Sequence, residues 1–233
     1  MIEIIMNLVE RIKNLFHGKF TKQFLVQIYF PFILMVFIGL LTASWLLLED
    51  PGFLDTSISF MGDPIDNPDG WFFWAGSMTF MGVAILPLAP YIRRQLRDRK
   101  RILNRIGSTF ILIAGIGLIM LGIFVQSEAN RPIHLTSATM AFSGLYFGVF
   151  FLGFIIIKME NIKKWKRALF CVLGWGGPIG FFITQGIQYF TTGSLGQHGP
   201  WILRLHSWEW MLFFFIFATI ICIFYIVPER SEE

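Results

Sequence analysis

The chain has 233 residues, of which 55% are hydrophobic, 17% aromatic and only 15% charged, with a formal net charge of +4 and a mean hydropathy of +0.63. Soluble domains carry about 25% charge, so a water-soluble single core is excluded, and 27 Phe with 8 Trp exclude a solvated disordered coil. A polytopic helical membrane protein remains, because lipid offers backbone groups no partner and the period-two alternation of a membrane barrel is absent.

In residues 1–25, Ile2, Ile5, Met6, Val9, Ile12 and Phe16 recur at three- and four-residue steps, with Glu3, Glu10, Arg11, Lys13 and Asn14 mostly elsewhere on the wheel. This spacing predicts an amphipathic helix on the inner leaflet, with a partner-binding helix as the alternative. It does not read as a signal peptide, since its charges follow the apolar residues and no small-residue cleavage site comes after them.

A bilayer core needs about 20 apolar residues per helix, and six stretches qualify. They are Val26–Leu48, Trp71–Ile92, Ile106–Val125, Leu135–Ile157, Ala168–Phe190 and Trp208–Val227, and none contains Lys, Arg or Asp. The expected fold class is therefore all-α, one transmembrane domain of six helices over residues 26–227, with a tail at 228–233. With the N-terminus inside, 17 of the 19 Lys and Arg fall on inner segments and only Arg131 and Arg204 outside, which places both termini in the cytoplasm. The basic residues orient the helices and meet anionic head groups, so the net charge is no sign of nucleic-acid binding. The outer side holds Glu49, Asp50, Asp55, Asp63, Asp66, Asp69, Glu128 and Glu209.

The first outer loop, Glu49 to Gly70, contains Ser57 and Ser59, then Gly62-Asp63-Pro64, Asn67-Pro68 and Asp69-Gly70. These turn formers predict a compact cap over the bundle mouth. On the fourth span, His134, Ser137, Ala141, Gly144 and Gly148 step by three and four, predicting a close helix-packing face with His134 turned inward. The fifth span carries Gly174, Gly177, Phe181, Thr184 and Gln188 on one face with Gln185 beside them, and Gly176-Gly177-Pro178 should loosen the helix. The sixth opens with His206-Ser207-Trp208-Glu209-Trp210, where Glu209 should face inward and meet His206, His134 or an arginine. Trp71, Trp74, Trp208 and Trp210 read as interfacial anchors. Cys171 and Cys222 lie near inner ends, are not expected to pair, and default to packing.

The candidate polar cluster of an outer pocket is thus Ser57, Ser59, Asp63, His134, Gln185, Gln188, His206 and Glu209. No metal or cofactor is expected; His134, His206 and Glu209 are a weak alternative zinc set, without an HExxH motif. No phosphate loop, dinucleotide fingerprint or nucleophile elbow is present, and no catalytic residue is assigned.

Ser57-Ile58-Ser59, a histidine opening the fourth span ahead of small residues (His134 to Ala138), and Glu209-Trp210 opening the sixth are similar to the Frag/DRAM/Sfk group of membrane proteins and a related prokaryotic family of undescribed function. The resemblance covers the chain from about residue 26. It implies lipid handling without an agreed catalytic mechanism, and makes Ser57, Ser59, His134 and Glu209 the residues to test. Gly62-Asp63-Pro64 departs from that pattern, which has a glycine followed by paired prolines, and the amphipathic N-terminus is extra.

The leading expectation is a non-enzymatic protein of the cell membrane that binds or organises lipid through an outer-leaflet polar pocket. An intramembrane lipid hydrolase or acyltransferase using a His/Glu site is the alternative, and a small-molecule transporter the third. Expected partners are membrane lipids, anionic head groups on the cytoplasmic side and a second copy of the chain.

Overall fold

The computed structural model describes residues 2–49, 57–192, 205–227 and 229, and the side chains of all of these but 2–8, 192, 205 and 206. A helix at Ile2–Phe16, here α1, precedes six helices long and apolar enough to cross a membrane. These are Lys22–Leu46, Trp71–Gln95, Arg101–Ile123, Arg131–Ile157, Lys164–Thr191 and Ser207–Ile226, called the first to sixth spans below. No strand occurs among the described residues. The helices extend beyond the apolar stretches mainly by taking in terminal Lys and Arg, residue types whose long stems can cover apolar surface while their charge stays in water.

Proline explains where the spans deform. Its ring clashes with the carbonyl four residues earlier, and its missing N–H frees that acceptor. Pro178 is preceded by a π-helical turn at Val172–Gly176, the loosening expected there. Pro31 does the same to Leu25–Tyr29, which the sequence reading had not singled out. The second span breaks between Ile85 and Leu88, next to Pro87.

α1 ends at Gly18, whose φ of +66° is one that L side chains avoid. The Gly18 N–H donates to the Leu15 carbonyl and the Lys19 N–H to that of Asn14. A Cβ at Gly18 would stand 2.3 Å from the Tyr91 backbone nitrogen, so this turn is seated directly on the second span. Phe20 then stacks on Tyr91 with ring centroids 4.7 Å apart. Gly18→Ala combines an unfavourable φ with a backbone clash, and should cost about 2 kcal/mol. Faster proteolysis of α1 with the bundle's melting point little changed is the expected readout. On α1 itself, Val9, Ile12 and Phe16 stay exposed, so the protein leaves that apolar stripe uncovered.

The third span is the centre of the bundle, packed on the second and the fourth through small residues. A Cβ on Gly117 would lie 2.5 Å from the Ala141 nitrogen, and one on Gly144 would lie 2.8 Å from the Ala114 nitrogen. On its other side, a Cβ on Gly82 would reach 2.6 Å from the Gly115 carbonyl oxygen, and one on Gly122 would reach 2.4 Å from that of Ala75. The expected face of the fourth span is therefore a packing face, with Ala141, Gly144 and Gly148 against the third span and Ser137 fully buried.

The basic ends are tied together by hydrogen bonds. Lys22 donates from Nζ to the carbonyls of Tyr225 and Val227 at 2.9 and 2.7 Å, closing the last turn of the sixth span. Arg94 reaches the Phe20 carbonyl, Asn104 that of Arg93, and Arg167 that of Ile157. Cys171 and Cys222 are both free thiols.

Three of the expected interfacial tryptophans are buried in protein and do not face outward. Trp74, Trp208 and Trp210 are 0%, 4% and 5% exposed. Each has found a protein surface able to receive a large ring. Trp208 lies against Gly180 and edge-on to Phe181, while Trp74 fills the space under Gly62. The indole rings serve here as packing for the mouth of the bundle.

Candidate functional site

The connection between the first two spans is built around Asn67, which is fully buried. Its Nδ2 lies 2.8 Å from the Met61 carbonyl, 3.2 Å from the Ser44 carbonyl and 3.1 Å from Ser44 Oγ. Its backbone N–H donates to the Asp63 carbonyl, and its own carbonyl accepts from Gly70 and Trp71. Asn67 therefore ties the end of the first span to the start of the second. The sequence marked Asn67-Pro68 only as a turn, since nothing local shows that an amide will be buried. Asn67→Ala leaves those acceptors without their donor and should lower stability by about 2 kcal/mol, read as a drop in melting temperature. Asp63 Oδ1 accepts from the Ile65 N–H, and Asp66 is raised from the usual carboxylate range by desolvation and then by repulsion from Asp63.

The same loop is latched to the sixth span by Glu209. Its carboxylate accepts from the backbone N–H groups of Ile58 and Ser59 and from the Ser57 hydroxyl. Ser57 Oγ in turn accepts from the Phe60 N–H at 3.2 Å, which opens the short 3₁₀ turn Phe60–Gly62. Among the described residues Glu209 thus meets the first loop and neither His134 nor an arginine, while the side chains of His206 and Arg204 lie outside them. Two adjacent backbone N–H groups aimed at one point suit a carboxylate better than any single side chain does. Glu209 Oε2 is buried and accepts no hydrogen bond among the described residues.

His134 belongs to the same mouth through packing. The 3₁₀ turn rests Gly62 on the Trp74 ring, where a Cβ would come within 2.4 Å, and Trp74 stacks on the His134 imidazole at 6.0 Å between centroids. Nδ1 of His134 lies 2.9 Å from the Phe124 carbonyl. A carbonyl only accepts, so Nδ1 carries the proton and caps the end of the third span, leaving Nε2 as an acceptor in the neutral ring.

Beside this mouth opens a groove of about 1150 Å³ between the fourth and fifth spans. Ser59, Asp63, Glu128, Arg131, His134 and Glu209 line its polar end. From there it descends along Ala138, Phe142, Tyr146 and Phe150 of the fourth span, facing Trp175, Ile179 and Phe182 of the fifth. Tyr146 donates to the Leu212 carbonyl at 3.2 Å, holding the sixth span to the floor of the groove. The polar end is legible in the sequence and the body is not, because the aromatic residues of two separate helices show no pattern until the helices are placed side by side.

Of the expected cluster, Ser59, Asp63, His134 and Glu209 line the groove, and Ser57 stands behind Glu209. Gln185 and Gln188 are buried on the fifth span at 5% and 1% exposure but are not part of the lining. The His206 side chain lies outside the described residues, so the zinc set His134, His206 and Glu209 is tested only in part. Among the described residues, no three His, Cys, Asp or Glu side chains gather as a metal site.

The fold and the apolar spans define an integral, multi-pass membrane protein of six helices. Residues 32–228 match the family described as "Protein of unknown function (DUF998)", and the chain belongs to that family. No curated protein and no solved structure shows significant similarity to it.

Proposed function

We propose that this is a lipid-binding protein of the cell membrane, with its basic end cytoplasmic, that holds one lipid in the groove between its fourth and fifth spans. The observation that carries this reading is the shape and polarity of the groove. A charged mouth leads into an aromatic body that runs along the helices, and the cavity is at or beyond the upper end of the size range of about 300–1,000 Å³ for small-molecule sites. An amphiphile matches both ends at once, whereas a small polar solute would leave the aromatic wall without a partner.

The finer likeness to the Frag/DRAM/Sfk group supports the same reading. Ser57, Ser59, His134 and Glu209 carry that likeness, and three of the four line the mouth while Ser57 braces Glu209. Lipid handling is the theme of that group.

Ala138 sits on the groove wall and is only half-buried, so a larger side chain there fills the groove without entering the packed third span. Ala138→Trp should reduce co-purifying lipid about tenfold, equivalent to about 1.4 kcal/mol of binding, with an unchanged melting temperature in lipid-free detergent. Native mass spectrometry reads the first quantity. Undiminished lipid in the variant would place binding elsewhere on the protein.

A further inference from the structure

We propose that the groove selects a phospholipid whose head group bears a primary ammonium, an aminophospholipid, over anionic and quaternary-ammonium phospholipids. This inference rests on the lipid-binding reading above and adds the chemical class of the ligand.

Among the described residues, the mouth carries three carboxylates, Asp63, Glu128 and Glu209, and one guanidinium, Arg131. A head group that is only anionic would face three like charges with a single opposite one. A zwitterionic head group divides its charges as the mouth does. Arg131 opens the fourth span, and its planar fork matches the phosphate, with the N-terminus of a 27-residue helix adding to the attraction. The carboxylates then receive the ammonium.

The primary amine follows from hydrogen bonding. The Glu209 carboxylate is engaged by the loop, and its buried Oε2 accepts no hydrogen bond among the described residues, so it does not turn to the groove. The other carboxylates of the lining, Asp63 and the exposed Glu128, gain a hydrogen bond from an ammonium N–H and gain little from a trimethylammonium group, which has none to offer. A quaternary ammonium is usually held by an aromatic cage, but the aromatic residues that line the groove belong to its body, and the mouth's own tryptophans are buried in packing.

The full chain, delipidated in detergent, is titrated with phosphatidylethanolamine, phosphatidylcholine and phosphatidylglycerol of identical acyl chains, and the bound fraction is read by native mass spectrometry. Phosphatidylethanolamine should bind about fivefold more tightly than either of the others, the scale of a partly exposed ion pair. Glu128→Gln should shrink the advantage over phosphatidylglycerol, since Glu128 is exposed and makes no contact that holds the loop. Arg131→Gln should weaken phosphatidylethanolamine binding but leave a diacylglycerol of the same chains unaffected. Equal or tighter binding of phosphatidylglycerol or phosphatidylcholine overturns the head-group assignment while leaving the groove a lipid site. Binding of none of the lipids, or binding that Ala138→Trp does not reduce, removes the lipid-binding reading itself.

Discussion

Gly117→Leu should unfold the bundle at physiological temperature or prevent its insertion, with a loss above about 3 kcal/mol. The third and fourth spans cross with the Gly117 α-carbon against the Ala141 backbone, where even a Cβ would come within 2.5 Å of a nitrogen atom. The obstacle is backbone, so no rotamer change relieves it. In lipid, apolar burial gives helices no drive to associate, and packing at close crossings carries the association instead. Separating these two helices by a side chain therefore removes most of what holds them. Gly76, where a Cβ meets nothing within 4 Å, is the matched control. Gly76→Leu should leave the melting temperature within a few degrees of the wild type, and a similar loss in both variants would show that the crossing is not the cause.

Glu209→Leu should release the first loop from the sixth span. The Ile58 and Ser59 N–H groups and the Ser57 hydroxyl would lose their acceptor at a buried position, a cost of about 3 kcal/mol. Glu209→Gln keeps an amide oxygen for the same donors and should recover about half of that. Because Gly62 of the same loop rests on Trp74 and Trp74 on His134, release should travel to the imidazole. Cleavage by a protease in the 57–70 segment, together with a shift in the His134 side-chain resonances, measures both consequences. Loop cleavage unchanged in Glu209→Leu would mean that Asn67 alone holds the loop.

The membrane architecture was legible because the features that define it are one-dimensional. Apolar runs of bilayer length and the sorting of 17 of 19 basic residues to one set of connections need no tertiary information. The packing face of the fourth span was legible for the same reason, as Ala141, Gly144 and Gly148 repeat at the helical period. What the sequence hid is contact between distant segments. Glu209 is expected from the sequence to find a histidine or an arginine, but among the described residues its carboxylate accepts from a pair of backbone N–H groups in a loop some 150 residues earlier, and backbone donors leave no mark in a sequence. Asn67 was read as a turn residue, although its buried amide organises the loop. Trp74 and Trp208 read as interfacial because composition cannot tell a tryptophan facing head groups from one filling a gap over a glycine.

These features share one consequence for the groove. The Gly-rich crossing fixes the fourth span, Tyr146 fixes the sixth against it, and the Glu209 latch fixes the loop over the mouth. The walls are held by packing or hydrogen bonds on three sides, while the fifth span carries a π-helical turn that includes Trp175 of the lining. On the proposed reading, a lipid entering such a preformed groove would leave its walls in place.

Photo-cross-linking in native membranes tests the central claim most directly. A benzophenone side chain replacing Phe182, on the groove wall, is compared with one replacing Met35, an exposed position on the first span that is not part of the groove. The account predicts that position 182 captures one head-group class, saturating at one lipid per chain and lost with Ala138→Trp, while position 35 captures lipids in proportion to their abundance. The same abundance-weighted mixture at both positions, unaffected by Ala138→Trp, would contradict it.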